Sequence, residues 1–342
     1  LEVGVRIGLC LCAVAVVAIP IAAAGCGSSG GGTEATHAAM VKRAALDRKL
    51  ASLERKLDRR RAALRAQRAR GRRRAARQAA AAPGSQTSAS SSALAASFAD
   101  VEAGLEGEVG ATIGAPGSSQ AIVVGDLSSG SAWSTSKVPI ALRLLQDVGG
   151  PSGLSSTQAD EMRRALTLSD NDAAAALFAD LERKHGGLTG ASAAVGEVLR
   201  EAGDDTTEIS TQGRDGFSTY GQTDWSLPNQ QLLISKLAAR CIGSTESDEY
   251  VLSLMGEVSS DDWGLGSAGL PARWKGGWGP GTDGRYLVRQ MGILELGGKE
   301  AVVTLAAIPS NGQFETAEQM ATIIAQWLAG QAPRYAAEPS GC

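Results

Sequence analysis

The sequence predicts an α+β domain in which strands from both ends of the chain build one antiparallel sheet, packed against helices and interrupted by a central all-helical block. Three observations carry this expectation. Apolar, strand-like runs at Val109–Ile113 and Ala121–Val124 come early, with Gly-Ser turns around them. An alanine-rich stretch from Thr157 to Ala202, with leucines at helical intervals and few β-branched residues, fills the middle. Arg285–Leu296, the turn Gly297-Gly298 and Ala301–Ile308 then read as a β-hairpin, with Thr316–Leu328 as a closing helix. Strands that flank a helical block must join distant chain segments in one sheet.

A long lead-in precedes that domain. Residues 1–26 carry an early Arg6, an apolar run from Ile7 to Ala24 and then Gly25-Cys26, the pattern of an export signal. The end of this run resembles the lipobox of bacterial lipoproteins, which implies lipidation of Cys26 and a membrane-anchored chain facing the extracytoplasmic side. An uncleaved membrane anchor is the alternative, since about 18 apolar residues approach the minimum for a span. Residues 27–41 open with a glycine- and serine-rich run that reads as a flexible tether. Residues 42–80 are expected to form a basic amphipathic or coiled-coil helix, with Leu46, Leu50, Leu53, Leu57 and Leu64 along one seam. From Lys42 to Arg77 there are 16 basic side chains against 3 acidic ones, whereas Ala79 onward carries 16 against 31. Attraction to anionic lipid or acidic wall polymer, at about 1 kcal/mol per basic residue near a charged surface, is one reading of residues 42–77. A solvated spacer is the other. Nucleic acid is a poor partner for an exported chain.

A serine- and alanine-rich linker is expected over 81–97, the folded domain over 98–330, and a tail over 331–342. Of five cysteines, only Cys241 and Cys342 fall in the exported domain and tail, where an oxidising compartment favours a disulfide between them. A buried Cys241 with a free Cys342 is the alternative. The two histidines are His37 and His185, too few for a zinc site built on histidines. His185 reads as a solvated residue at a helix end.

Three stretches carry chemistry: Ser134-Thr135-Ser136-Lys137, Ser169-Asp170-Asn171 and Lys275-Gly276-Gly277. A serine one helical turn before a lysine puts a nucleophile beside its own base, because residues three apart share a helix face. Pro139 fits only the first turn of a helix, which sets Ser134 at a helix N-terminus, where the macrodipole favours an oxyanion. Taken singly, Ser134 and the Ser169–Asn171 triplet would read as helix caps and Lys275 as a surface lysine ending a strand. Trp274, Gly277, Trp278 and Gly279 point instead to a strand edge approached closely by a ligand.

In order and spacing the three stretches resemble the S-x-x-K, S-D-N and K-T-G elements of class A serine β-lactamases and penicillin-binding proteins. The resemblance spans roughly Phe98 to Leu328 and implies the β-lactamase/transpeptidase fold and a β-lactam or D-Ala-D-Ala-like substrate, with no cofactor and no metal. It implies Ser134 as nucleophile, Lys137 as its base and Ser169 as proton shuttle. Asn171 would bind a substrate amide, Lys275 would attract the substrate carboxylate, and Gly277 would leave room for ligand. The N–H of Trp278 would join that of Ser134 as oxyanion donors.

Three departures accompany it. The Lys137–Ser169 interval is short, so a segment supplying an aromatic wall of the cleft is missing. Gly276 replaces a hydroxyl residue that binds the substrate carboxylate. Between Gly203–Thr207 and Gln222–Pro228, no glutamate falls where deacylation requires one; Glu208 comes early and Asp215 late. Three functions follow: a β-lactamase-like serine hydrolase, a penicillin-binding or D,D-peptidase-like protein that deacylates slowly, or a non-catalytic cell-wall-binding module of the same fold.

Overall fold

The early strands form as β1, Gly107–Gly114, and β2, Ile122–Gly125. The computed structural model describes Lys49, residues 86–339, Gly341 and Cys342. The late hairpin is β4, Tyr286–Leu296, and β5, Lys299–Pro309, with β3, Ala272–Pro280, ahead of it. All neighbours are antiparallel, in the order β2-β1-β5-β4-β3. The first strand therefore pairs with the last, and β3 is left as an edge.

Period-two alternation sorts the strand side chains between two cores. Val288, Leu294, Val303 and Leu305 pack with α1, Gln86–Ala103, and α8, Phe314–Gln331. Met291, Ile293 and Val302 point the other way into the helical block, which comprises α2 (Lys137–Val148), α3 (Ser156–Thr167), α4 (Asn171–His185), α5 (Leu188–Glu201), α6 (Leu227–Ala238) and α7 (Thr245–Met255). Each fully buried leucine there contributes about 1.5–3 kcal/mol.

The start of the domain differs from expectation. The run 81–97, read as a linker, is helical from Gln86, so the domain begins there and not at Phe98. Alanine is the strongest helix former, and Leu94 and Phe98, four apart, are both buried in the core. Residues 331–342 form the expected tail, held in place at two points: Ala337 exchanges two backbone hydrogen bonds with Glu300, of 2.8 and 3.0 Å, and the expected disulfide joins Cys342 to Cys241 with Cα atoms 5.5 Å apart. The expectations for Cys26, for residues 27–41 and, Lys49 aside, for residues 42–80 lie outside the described residues. Among the described residues no helix is long and apolar enough to cross a membrane.

Candidate active site

Ser134 lies in a 3-10 turn, Trp133–Ser136, that runs directly into α2, with Pro139 in that helix's first turn. The first hydrogen bond of the turn is Thr135 N to Ala132 O, 3.1 Å, so the Ser134 N–H precedes the helical ladder. Trp133 adopts φ +49°, a left-handed conformation that costs a non-glycine residue about 1–3 kcal/mol. The surroundings hold it there: the Ser136 hydroxyl donates to Trp133 O at 2.6 Å and Ala132 N donates to Thr223 O at 2.7 Å.

A residue that sequence reasoning missed braces this turn from behind. Arg289 on β4 is 1% exposed and donates to the carbonyls of Gly130 (2.7 Å), Ser131 (3.2 Å) and Trp225 (2.9 Å) and to Gln230 Oε1 (2.9 Å). Gln230 in turn donates to Thr135 Oγ1 at 2.9 Å. Burial pulls the Arg289 guanidinium down to about 9. Nothing in the local sequence distinguishes an inward-facing arginine on a strand from one at the surface.

The Ser169–Asn171 triplet divides its labour. Asp170 alone caps α4, accepting from Asp172 N at 2.9 Å and Ala173 N at 3.0 Å. Ser169, held at φ +55°, and Asn171 are thereby free to face Lys137. The Lys137 ammonium donates to Ser169 O (2.6 Å), Asn171 Oδ1 (2.9 Å), Asp170 O (3.2 Å) and, at 3.5 Å, Ser169 Oγ. Ser134 Oγ has no hydrogen-bond partner among the described residues. Burial first, then the nearby Lys275 charge, brings Lys137 down to about 7.

Lys275 is not a surface lysine ending a strand. It sits within β3, fully buried, and donates to Ser169 Oγ at 2.8 Å and to Gly276 O at 3.3 Å. Burial lowers it to about 8. Two residues on, Gly277 packs so closely against the Ser134 turn that a Cβ would lie 2.8 Å from Ser134 N and 2.8 Å from Ala132 O. Gly281 N donates to Arg285 O and Glu295 N to Pro271 O, which makes the odd residues of β3 its hydrogen-bonded pairs with β4. The N–H groups of Trp274, Gly276 and Trp278 therefore point to the open edge. The Trp278 side chain leaves the cleft altogether and packs on Trp263 and Phe314.

The space beside Gly276 is taken by Asp261, whose carboxylate would lie 2.2 Å from a Cβ there. Asp261 is 1% exposed and accepts from Trp274 Nε1 and Gln290 Nε2, both at 3.2 Å. In the loop from Gly203 to Pro228, buried Asp204 accepts from Thr207 N, Asn229 Nδ2 and Trp225 Nε1. Glu208 and Asp215 are both exposed, and neither makes a hydrogen bond or ion pair among the described residues. His185 ends α4 as expected but is not simply solvated, because its Nε2 lies 2.6 Å from Asp147 Oδ2. Among the described residues no cluster of His, Cys, Asp and Glu could hold a metal ion.

No protein-family model matches the sequence, and no curated protein matches it. Solved structures do. A β-lactamase from Burkholderia vietnamiensis matches with a TM-score of 0.57 at 17% identity, over 70% of this chain and 97% of its own. PenP from Rhodopseudomonas palustris, assigned to the class A β-lactamases, matches at 0.55 and 22% identity, over 70% of this chain and 99% of its own. The β-lactamase from Sphaerobacter thermophilus matches at 0.53 and 20% identity, over 70% and 96%. The fold is that of the class A β-lactamases. In this β-lactamase-like domain the three stretches meet between the edge strand β3 and the N-terminal ends of α2 and α4.

Proposed function

We propose that the domain is a serine acyl-transfer enzyme of the β-lactamase class, acting on β-lactam or D-Ala-D-Ala-like amides. The observation that carries this reading is the convergence on Ser169 of two buried lysines, one of which, Lys137, follows by three residues a serine at a helix start. Lys137, down to about 7, is substantially neutral at physiological pH and can take the Ser134 proton. For that step Lys137 gives up a proton to become the neutral amine, leaves the Ser169 carbonyl and turns its lone pair towards Ser134 Oγ, an adjustment expected when substrate binds. The Ser134 Oγ–carbonyl carbon bond forms and the carbon–nitrogen bond breaks. The proton passes from Lys137 by way of Ser169 to the leaving nitrogen, giving a Ser134 ester and a free amine. The N–H groups of Ser134 and Trp278 stabilise the oxyanion. Asn171 positions a substrate amide, and Lys275 steadies the Ser169 hydroxyl and draws in an anionic substrate.

Hydrolysis of the ester needs an activated water, and the exposure of Glu208 and Asp215 favours a second reading in which deacylation is slow, as in penicillin-binding proteins. General-base assistance is worth about 100- to 10,000-fold. Intact-mass spectrometry of the purified chain with a β-lactam over time, with Ser134→Ala as control, separates the readings. A Ser134-dependent adduct that clears within seconds supports the β-lactamase, and one that lasts for hours supports slow deacylation. No adduct on the unmutated chain refutes both. Export belongs to the same proposal: Cys26 is lipidated and residues 42–77 meet anionic lipid or wall polymer, which loss of membrane association in Cys26→Ser tests.

A further inference from the structure

Along β3 the nucleophile turn stands between two ends of different charge. At one end lie Lys275 and Ser169, which deliver a proton to the leaving nitrogen, so the leaving part of a substrate faces that way. The acyl part must then run in the opposite direction, past Gly277 and Gly279 to Pro280, about 10 Å further along the strand from Gly277. A Cβ on Gly279 would lie 2.5 Å from the Trp133 ring, so that indole lines this end.

Arg214 closes it. The turn Arg214-Asp215-Gly216-Phe217, tightened by Phe217 N donating to Arg214 O at 2.8 Å with Gly216 at φ +82°, presents Arg214 and Phe217 together. The guanidinium carbon lies 4.4 Å from the Phe217 ring centre and 5.6 Å from that of Trp133, and Nη2 donates to Pro280 O at 2.5 Å. Phe217 meets Trp133 edge-on at 5.2 Å. Among the described residues Arg214 has no carboxylate partner. Arg214 Nε and Trp133 Nε1 are buried without acceptors, and Trp133 is only 7% exposed. A half-buried guanidinium with no carboxylate partner, stacked beside the Ser134 turn, calls for a ligand that brings an anionic acceptor. At the leaving end the position is reversed, because Asp261 puts a carboxylate into the space that Gly276 leaves beside Lys275.

We propose, resting on the acyl-transfer reading above, that this cleft selects substrates carrying a carboxylate on the acyl side of the scissile amide, held by Arg214 with Trp133. Arg214 is thus a specificity-determining residue contributed by the 203–228 loop.

The test compares benzylpenicillin with its α-carboxy analogue, which share one leaving part and differ by a single acyl-side carboxylate. The rate of Ser134 adduct formation on the full chain is read by intact mass. The α-carboxy compound is expected to acylate about tenfold faster, the lower range for a charge-assisted hydrogen bond. That ratio falls to about one in Arg214→Gln and stays above one in Arg214→Lys, which keeps the charge if the neutral variant fails to fold. It also shrinks as salt is raised. Adducts forming at equal rates, or a preference that survives Arg214→Gln, overturn this proposal and leave the acyl-transfer reading standing. No Ser134 adduct with either compound overturns both.

Discussion

Replacing Gly277 by alanine puts a methyl group where the Ser134 turn has no room for it. The new Cβ would lie 2.8 Å from Ala132 O, 2.8 Å from Ser134 N and 3.0 Å from Thr135 N, each inside ordinary contact. Neither wall yields cheaply. Gly277 is hydrogen-bonded within the sheet opposite Arg289, and Arg289 grips Gly130 and Ser131 just ahead of the turn. The displacement must be taken up by the Ser134 N–H. Overpacking of this kind costs about 1–3 kcal/mol of stability. Losing one oxyanion donor costs about 3 kcal/mol of transition-state stabilisation, or about 100-fold in acylation rate. Thermal unfolding followed by circular dichroism reads the first quantity, and the rate of β-lactam adduct formation the second. A Gly277→Ala chain that acylates at the unmutated rate with an unchanged melting temperature would refute the contact between β3 and the turn.

Acylation should rise with pH through an apparent pKa near 7, where Lys137 loses its proton, and the midpoint should move upward in Lys275→Met, which removes the neighbouring positive charge; a pH-rate profile of adduct formation checks both. The folded-state values of about 7 for Lys137 and about 8 for Lys275 lie below 10.5, so between them the unfolded chain binds more protons and stability rises with pH from about 7 to 10.5; urea titrations at several pH values show whether it does. Arg289→Met strips four acceptors of their donor and should cost roughly 3 kcal/mol or more, seen as a lower urea midpoint at constant slope. Cys342→Ser opens a loop spanning 101 residues and should cost about 2–4 kcal/mol by unfolding while leaving acylation unchanged, since the bridge joins no part of the Ser134 turn.

The strands were legible as apolar runs bounded by Gly-Ser and Gly-Gly turns, and the helices by leucines at helical spacing in the block from α3 to α5. The site stretches were legible as well, since spacing places Ser134 and Lys137 on one turn. What composition alone misjudged was the start of the domain. Serine and alanine read as a linker until Leu94 and Phe98 are seen to share a buried face. The long-range partners could not be read either. That Arg289 braces the turn, that Asp261 fills the space beside Gly276 and that Arg214 docks on Pro280 all depend on sheet register and loop return, which bring together residues up to 159 positions apart.

The organisation of the Ser169–Asn171 triplet shows why such a short signal works. A helix start needs one side chain to satisfy its first N–H groups, and Asp170 does this by itself with help from Arg164, 3.3 Å away. The residues on either side are then held by the cap without being consumed by it. Ser169 in its left-handed conformation turns both its carbonyl and its hydroxyl towards the lysines, and Asn171 lends its amide oxygen. Four neutral oxygens therefore surround Lys137 while Asp170, the one acid nearby, is occupied with the helix. Neutral acceptors hold an ammonium in place while favouring its charged form less than a carboxylate contact would, and burial with the Lys275 charge outweighs them and the more distant pull of Asp170. That arrangement lets the same lysine be fixed in position and still give up its proton near pH 7, which is what a base for Ser134 requires.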